Sequence, residues 1–316
     1  MKVSGRRSLK TESLLTQTRS LLRRFDLHAR KGLAQHFLID EESLGLIVTA
    51  AQLKPTDIVM EVGPGLGVLT GELARQAGRV VAIELDDKLA AILKQTLADF
   101  NNITIINKDI LKIDPAALLQ EQLHLEAGSS YKVVANLPYY ITSPVLRHFL
   151  EASFKPQTMV VMVQKEVAEQ ITAKPGQMSL LSVSVQLYGQ PTIIGDVPAR
   201  CFYPAPEVDS AILKVTLHPR PLIEVTDTES FFRLVRAGFS AARKQLANSL
   251  ANGLGISKGE VLSLLAGAEI TAQRRAETLT LEEWARLWRL FIKVGEPPVA
   301  RLRRELSVER VGGEPC

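Results

Sequence analysis

The 316-residue sequence predicts an α/β fold, in which a largely parallel sheet is followed by a small all-helical domain. Apolar, β-rich runs alternate with helical patterns up to about residue 190, and successive runs begin about 22–29 residues apart, which is typical of βαβ units. After Pro219-Arg220-Pro221 the pattern becomes helical only. Apolar residues make up 46% of the chain, which is enough for a sizeable core.

Each predicted strand is a short apolar run, bounded by polar or turn residues. The strands of the parallel part are Ile58–Val62, Val80–Ile83, Ile103–Ile106, Lys132–Ala135 and Met159–Val163. The helices between them are Leu66–Gln76, Lys88–Asp99, Pro115–Leu125 and Pro144–Glu151. The segment between Thr192–Val197 and Ala211–Leu217 is too short for a helical crossover, so these two runs predict an antiparallel pair at the sheet edge.

The C-terminal region carries several helix signals. A long amphipathic helix is predicted over Phe231–Leu250. Capping boxes are predicted at Ser257 with Glu260 and at Thr280 with Glu283. One helical face carries Trp284, Leu287, Trp288 and Phe291. We interpret that face as the core of the helical domain.

Charge is distributed unevenly along the chain. Residues 1–31 hold nine Lys or Arg and two acids, residues 32–232 hold 15 and 23, and residues 233–275 hold seven and two. Basic flanks around an acidic body favour a polyanionic partner, although solvated surfaces explain the charges equally well. The expected organisation is a basic N-terminal segment (1–30), a sheet domain (31–220), a helical domain (221–296) that would share in binding such a partner, and a flexible tail (297–316).

Several classes of protein are disfavoured by composition. No apolar run reaches the ~18–20 residues that span a bilayer. The basic N-terminus is not followed by the apolar stretch of a secretion signal. Cys201 and Cys316 lack CxxC spacing, and the five histidines are scattered, so we expect no disulfide framework and no metal site. A cytoplasmic protein is the expectation.

A glycine-rich segment, Glu61 to Gly67, follows the first strand and opens a helix. Its spacing is G-x-G-x-G, whereas a dinucleotide site favours G-x-G-x-x-G. An acid two residues before the first glycine suits a ligand with a cationic amino-acid end, such as S-adenosylmethionine. A tight structural turn would explain this segment equally well.

Polar residues also end the next three strands. Glu84 can accept hydrogen bonds from both ribose hydroxyls, and Asp109 can accept one from an adenine amine. Asn136 ends the fourth strand. Because the carboxyl ends of parallel strands meet at one edge of a sheet, these residues and Gly63 predict a single ligand site.

The segment Asn136-Leu137-Pro138-Tyr139-Tyr140 is a poor continuation of a strand, because proline cannot donate to a ladder. A planar base with an exocyclic amine needs a stacking surface and two hydrogen-bond acceptors. Tyr139 can supply the surface, while the Asn136 amide oxygen and a neighbouring backbone carbonyl can supply the acceptors. In isolation, such a segment is more often a simple turn.

From Thr16 to Ile292 the chain resembles the small-subunit ribosomal RNA adenine N6,N6-dimethyltransferases. The motifs that carry the resemblance are Lys31 to Leu38, Glu61 to Gly67, Asn136 to Tyr139, Cys201 to Ser210, Arg243 to Asn248 and Arg274 to Trp284. The resemblance implies a Rossmann-like S-adenosylmethionine-dependent methyltransferase sheet and a small C-terminal all-helical domain. Two positions depart from the family pattern: Ala34 replaces a usual glycine, and Glu207 stands where a basic residue is common.

The resemblance also implies cofactor, product and partner. The implied cofactor-binding residues are His36, Leu38, Gly63, Glu84, Asp109 and Asn136. His36 and Leu38 would line the approach to the cofactor, and Asn136 would lie between the cofactor and the target base. The expected product is two adjacent dimethylated adenosines in a hairpin near the 3′ end of 16S rRNA, made by a monomer acting on the small subunit or its precursor during ribosome biogenesis.

Catalysis is expected to rest on orientation by Asn136, Pro138 and Tyr139, without a general base. Tyr139 and Phe202 would stack on the extruded base, although Phe202 suits core packing nearly as well. Predicted phosphate contacts, besides the N-terminal segment, are Arg243, Lys244, Arg274 and Arg275.

Three alternatives remain open at this stage. A DNA adenine methyltransferase carries a similar Asn/Asp-Pro-Pro-Tyr motif, but Leu137 replaces its first proline. A large-subunit (23S) rRNA adenine methyltransferase shares both predicted domains. A non-catalytic ribosome assembly factor could use the same scaffold.

Overall fold

The structure of the protein is a computed structural model that describes residues 12–27, 35–123, 129–241 and 243–294. Part of the Lys31 to Leu38 motif, including Ala34, lies outside the described residues, as do the end of the helix predicted over Pro115–Leu125, Cys316 and the tail 297–316.

The elements are numbered here in chain order. The strands are β1 (Phe37–Leu38), β2 (Ile58–Val62), β3 (Arg79–Glu84), β4 (Ile103–Asn107), β5 (Tyr131–Asn136), β6 (Thr158–Gln164), β7 (Gly189–Val197), β8 (Phe202–Tyr203) and β9 (Ser210–Leu217). The helices are α1 (Leu14–Arg24), α2 (Glu41–Ala51), α3 (Val68–Gln76), α4 (Asp87–Thr96), α5 (Pro115–Leu123), α6 (Thr142–Glu151), α7 (Lys165–Thr172), α8 (Leu180–Gln186), α9 (Thr228–Phe239), α10 (Leu246–Leu254), α11 (Lys258–Gly267) and α12 (Leu281–Val294).

The main sheet of the described residues has seven strands in the order β4-β3-β2-β5-β6-β9-β7. Strands β4, β3, β2, β5 and β6 pair in parallel, and β9 is antiparallel to β6. The predicted α/β class is therefore confirmed, and all seven predicted strands are present. A small antiparallel pair, β1 with β8, was not predicted, because two-residue strands carry no periodic signal.

The central strands are continuous apolar runs because helices cover both faces of a parallel sheet. Val133, Val134, Val160 and Val161 are at most 1% exposed. The strand order reverses between β2 and β5, so the carboxyl ends of these two strands border a crevice. The glycine segment follows β2 and Asn136 ends β5, which places both predicted motifs at that crevice.

The chain divides into two compact units. One contains the sheet, up to Glu169 and again over Gln190–Leu217, and the other contains Gln170–Gly189 and the residues from His218 onward. Helix α8 thus groups with the C-terminal helices, whereas the boundary predicted from sequence alone was at 220/221. In the helical unit, Trp284 and Trp288 are buried, and the indole of Trp288 donates to Ser230 Oγ over 2.8 Å.

The single long helix predicted over Phe231–Leu250 is wrong. Helix α9 ends at Phe239 and α10 begins at Leu246. The Ser240 hydroxyl donates to the Ala237 carbonyl, and the Ser249 hydroxyl donates to the Ala241 carbonyl, so side chains satisfy the backbone at this break. The two helices then pack closely, since a Cβ on Gly253 would lie 2.6 Å from Ala237 Cα.

Both predicted capping boxes are confirmed. Ser257 and Glu260 exchange side-chain to backbone hydrogen bonds at the start of α11, and Thr280 and Glu283 do the same at the start of α12. Across the described part of the chain, we find no helix with the length and apolar character that crossing a bilayer requires.

Candidate functional site at the carboxyl edge of the sheet

A cavity of about 320 Å³ opens at the carboxyl edge of the sheet. Its lining includes every residue predicted to contact the cofactor and both other residues predicted to act in catalysis: His36, Leu38, Gly63, Glu84, Asp109, Asn136, Pro138 and Tyr139. The structure thus brings these residues together, while their individual roles stay predictions.

The glycine segment forms the floor of the cavity with backbone that other residues adopt poorly. Gly63, Gly65 and Gly67 have φ values of 67°, 60° and 83°. The Gly63 amide donates to the Ile83 carbonyl over 2.9 Å, which fixes the loop to β3. A Cβ on Gly65 would lie 3.3 Å from the Phe37 ring. Larger side chains here would strain the loop and crowd the cavity.

Glu84 is held by backbone amides on both of its oxygens. Oε2 accepts from the Gly65 amide over 3.1 Å, and Oε1 accepts from the Asp86 amide over 2.9 Å. Burial raises the pKa of Glu84, and these two hydrogen bonds oppose the rise. Its carboxylate is therefore fixed in orientation at the end of β3, as a group that contacts a diol must be.

Glu61 is a second buried carboxyl group of the cavity, and it is the acid before the glycine segment that the sequence predicted to suit a cationic ligand. It is 1% exposed, and burial raises its pKa to about 8, with the nearby charge of Glu84 adding to the rise. Thr70 lies close enough to lower this pKa somewhat, but Oε2 forms no hydrogen bond within the described residues. Burial favours the neutral acid, and a cation beside Oε2 would favour the carboxylate.

Asp109 and Tyr140 also line the cavity. Asp109 Oδ1 accepts from the Leu111 amide over 3.0 Å at the start of a short 3-10 helix, Ile110–Lys112. Burial raises the pKa of the Tyr140 phenol, and the charges of Asp109 and Glu84 raise it further. Tyr140 is 53% exposed and had no predicted role, because an exposed aromatic beside a motif gives no sequence signal.

Asn136 has its amide orientation fixed by the backbone of the N-terminal region. Its Nδ2 donates to the His36 carbonyl over 3.2 Å, so Oδ1 is the amide atom that remains for a ligand donor. In the following turn, the Pro138 carbonyl accepts from the Ile141 amide over 3.1 Å. The Leu137 carbonyl, which lies between these two groups in sequence, is a further candidate acceptor of the segment.

The Tyr139 ring is held at both ends. It stacks on the His36 ring, with centroids 5.9 Å apart and planes at 22°. Its hydroxyl shares a 2.6 Å hydrogen bond with Ser210 Oγ. Burial raises the pKa of this phenol, so it is neutral at physiological pH.

The remaining predicted substrate residues do not line the cavity. Phe202 is 3% exposed and packs in the core of the sheet unit, where β8 pairs with β1, which favours the packing alternative. The guanidinium of Arg274 pairs with Glu283 and bonds Thr278, and this internal bonding weighs against a phosphate role. Arg275 lies 3.6 Å from Glu277, and Arg243 and Lys244 are exposed.

The donor set fits S-adenosylmethionine on features of this structure alone. Glu84 suits the ribose diol, the glycine loop leaves space that a Cβ would fill, and the unpaired Oε2 of buried Glu61 suits an ammonium group. Over the described ranges, no group of three or more His, Cys, Asp or Glu side chains is arranged to bind a metal ion.

Comparison with known proteins gives a consistent result. The family model "Ribosomal RNA adenine dimethylase" matches residues 26–293. The chain is 53% identical over 275 residues to ribosomal RNA small subunit methyltransferase A of Dehalococcoides mccartyi, covering 87% of this chain and 92% of the relative. It is 46% identical over 277 residues to the protein of the same name from Moorella thermoacetica, covering 86% and 96%.

Two solved structures resemble the whole fold. A dimethyladenosine transferase from Plasmodium falciparum superposes with a TM-score of 0.69 at 26% identity, covering 83% of this chain and 99% of that one. The 23S rRNA methyltransferase ErmE superposes with a TM-score of 0.62 at 30% identity, covering 80% and 98%.

Proposed function

This chain belongs to the ribosomal RNA adenine dimethylase family and is an S-adenosylmethionine-dependent methyltransferase that acts on ribosomal RNA, and from that premise we propose that it dimethylates two adjacent adenosines near the 3′ end of 16S rRNA. The proposal rests mainly on one observation: Asn136 and Tyr139 both line the cavity, where Asn136 Oδ1 remains available as an acceptor and the Tyr139 ring offers a stacking surface.

The adenine amine is a weak nucleophile because its lone pair is delocalised into the ring. Asn136 Oδ1 accepts one N–H of the amine, and the Leu137 carbonyl accepts the other. Two acceptors on one side favour a pyramidal nitrogen whose lone pair is directed toward the cofactor. Bound S-adenosylmethionine supplies an electrophilic methyl group on a sulfonium. The protein therefore accelerates the transfer mainly by orientation, which can contribute up to ~7–11 kcal/mol in the best intramolecular cases.

Tyr139 holds the extruded base by stacking, a contact worth ~1–3 kcal/mol per base. Its phenol stays neutral, because burial raises its pKa, and it therefore places no negative charge beside the base. The methylated amine is cationic and acidic, so it loses its proton without a dedicated base. The second transfer consumes a second molecule of cofactor, and the monomethylated amine then has one N–H left to donate to one of the two acceptors.

The cofactor side uses the three acids of the cavity. Glu84 would accept from the ribose hydroxyls, Asp109 would accept from the adenine amine of the cofactor, and Glu61 would pair with the ammonium of the methionine end. Glu84 and Asp109 already accept backbone hydrogen bonds, so they require little reorganisation on binding.

Basic residues near the sheet unit's N-terminus support binding of RNA phosphates. Helix α1 exposes Arg19, Arg23 and Arg24, and none of the three forms an ion pair within the described ranges. Arg19 lies over the Tyr203 ring, 5.1 Å from its centroid, which connects this helix to the β1–β8 pair beside the cavity. Affinity for ribosomal RNA should fall steeply with ionic strength, by a log–log slope of about −0.7 to −0.9 per neutralised phosphate. If changing these three arginines to glutamine left the slope unaltered, the proposed contribution of helix α1 to RNA binding would be contradicted.

The main competitor is a 23S rRNA methyltransferase. The relatives named as small-subunit enzymes are 46–53% identical to this chain, whereas the 23S enzyme structure is 30% identical. This contrast favours the small subunit as substrate and a 30S particle or its precursor as partner. We further propose that the enzyme acts as a monomer in the cytoplasm.

The test is methylation with labelled cofactor of unmodified 30S particles, 50S particles and naked 16S and 23S rRNA, followed by mapping of the modified base. Label in dimethyladenosine at two adjacent positions near the 3′ end of 16S rRNA supports the proposal. Label in 23S rRNA would replace it with the competitor, and absence of transfer to any of the substrates would favour a non-catalytic role.

A further inference from the structure

The segment of residues 202–210 forms hydrogen bonds with the side chains of His36 and Tyr139, whose stacked rings lie beside the proposed base site. The Pro204 carbonyl accepts from His36 Nδ1 over 2.8 Å, and Ser210 Oγ shares the 2.6 Å hydrogen bond with the Tyr139 hydroxyl. These contacts span 168 and 71 residues of sequence, so they are tertiary and not local turn contacts. One segment therefore sets the positions of two rings that stack on each other.

The side chain of Ser210 is fully buried, so its hydroxyl needs a hydrogen-bond partner within the protein. It is 0% exposed and begins β9, where its backbone lies opposite Gln164 of β6. The Tyr139 hydroxyl is the hydrogen-bond partner of its side chain. A buried hydroxyl without a hydrogen-bond partner destabilises the fold, so this bond is favoured. It joins the end of the Tyr139 ring to the first residue of β9.

The ring orientation matters because a stacked base takes its plane from the ring beneath it. Tyr139 lies in a short 3-10 helix, Tyr139–Ile141, immediately after Pro138. Rotation of the ring about its side-chain torsions would tilt a stacked adenine and turn its amine away from Asn136. Small misplacement of reacting atoms lowers rates substantially, since effective catalysis needs a near-attack geometry.

We propose that Ser210 is a positioning residue for methyl transfer, whose hydroxyl holds the Tyr139 ring at the angle that directs a stacked adenine toward Asn136. The inference rests on the proposed function, and it adds a residue that contacts neither cofactor nor base.

A double-mutant cycle tests this role. The variants are Ser210→Ala, Tyr139→Phe and the double substitution, with single-turnover methyl transfer to 30S particles measured at saturating cofactor. Each single change should slow transfer by about 3- to 10-fold, the effect of one neutral hydrogen bond, and the double variant should be no slower than either single. The KM for cofactor should not change, because neither hydroxyl faces the cofactor acids.

Ser43→Ala is the matched control, since Ser43 is also a buried serine of the sheet unit, with its hydroxyl bonded to Asp40 over 2.6 Å. It should leave the transfer rate unchanged at temperatures where thermal unfolding shows every variant folded. Quenching of 2-aminopurine placed at the target position of a 16S rRNA fragment reports base stacking directly, and Ser210→Ala should reduce it.

Three outcomes would overturn the inference: a wild-type rate for Ser210→Ala, a further loss from Ser210→Ala in the Tyr139→Phe background, or unchanged quenching. Tyr139→Ala distinguishes this failure from failure of the proposed function. If Tyr139→Ala slows transfer while Ser210→Ala does not, the base site stands and only the positioning role is wrong. If Tyr139→Ala is also fully active, the base site itself is wrong.

Discussion

The two halves of the cavity, the proposed cofactor half and the proposed base half, are built differently. The cofactor half consists of consecutive strand ends, and its acids Glu84 and Asp109 accept hydrogen bonds from amides within about 20 residues. The base half consists of Asn136 and Tyr139, which are fixed by His36 and Ser210 over 100 and 71 residues. The first half is thus a product of the βαβ repeat, while the second depends on tertiary contacts.

This difference implies that cofactor binding and methyl transfer can be changed separately by mutation. The glycine loop and the strand-end acids should bind cofactor whether or not the base half is intact. The base half should govern the rate at which bound cofactor is used. The predictions below change one half at a time, and the last changes the helical unit for comparison.

The largest effect is expected for Asn136→Ala. Loss of Oδ1 removes one of the two acceptors that orient the amine, and single-turnover methyl transfer should fall by about 10²–10³-fold or more, by analogy with removal of one oriented polar group from an active site. Asn136→Asp is the informative companion, because it keeps an oxygen but cannot donate to the His36 carbonyl. It should recover only part of the rate, and full activity in Asn136→Ala would refute the assignment of Asn136.

In the cofactor half, Glu84→Ala should weaken cofactor affinity by about 10- to 150-fold, the range for hydrogen bonds to a charged group. The change also releases the Gly65 and Asp86 amides. Titration calorimetry measures the affinity, and Glu84→Gln should lose less because it can still accept. Transfer at saturating cofactor should fall far less than in Asn136→Ala; a comparable fall would mean that the two halves are not separable.

Glu61 makes cofactor affinity depend on pH. Its pKa of about 8 keeps the acid neutral at pH 6–7.5, whereas pairing with an ammonium requires the carboxylate, so binding releases a proton. Affinity should therefore rise with pH across this window by up to about tenfold per unit, while α-amino groups remain largely cationic. Glu61→Gln should weaken binding and flatten the profile. A wild-type profile without slope would contradict the pairing.

The Glu61 carboxyl group also makes stability depend on pH, but the free energy of unfolding falls as pH rises, whereas cofactor affinity increases. The pKa is raised from 4.5, so the folded protein holds an extra proton between pH 4.5 and 8, and the free energy of unfolding falls as pH rises through that window. Glu61→Gln cannot ionise, so its stability relative to the wild type should increase toward pH 8, by up to about 4 kcal/mol. Denaturant unfolding without cofactor at pH 5 and pH 8 measures this gain, and equal differences at both values would argue against the shifted pKa.

The smallest effect on the site is expected from a change in the helical unit. Gly253→Ala places a Cβ 2.6 Å from Ala237 Cα between α9 and α10, and it should destabilise that unit by about 1–3 kcal/mol. Gly259→Ala is the matched control in α11, where the nearest atom is 3.9 Å away, and it should be neutral or slightly stabilising. Thermal unfolding distinguishes the two variants. Cofactor affinity should be unchanged in both.

The sequence predicted which strand-end residues meet at one cavity because the signals of the proposed cofactor half are local. Strand ends, glycine spacing and the acids that follow each strand all lie within short windows, and the parallel sheet then brings them to one edge. Glu61 was visible as the acid before Gly63, but its raised pKa depends on burial that only the fold reveals.

The misses arise from contacts that are distant in sequence. The break between α9 and α10 has no glycine or proline at 240–245, and it is favoured because two short helices bury each other's faces. Arg274 was predicted to contact phosphate, but its guanidinium forms an ion pair with Glu283. The sequence revealed the capping role of Glu283 but not this ion pair. Ser210 lies within a recognised motif, yet nothing local indicates that it bonds Tyr139.

The most direct test of separable halves is the cofactor affinity of Asn136→Ala, measured by titration calorimetry with S-adenosylmethionine. Asn136 belongs to the proposed base half, and its orientation is fixed by the His36 carbonyl and not by the cofactor acids. The dissociation constant should therefore stay within about threefold of wild type, a change below 1 kcal/mol, even though transfer is lost. A loss of affinity that matches the loss of rate would show that Asn136 acts through cofactor binding and would contradict the account.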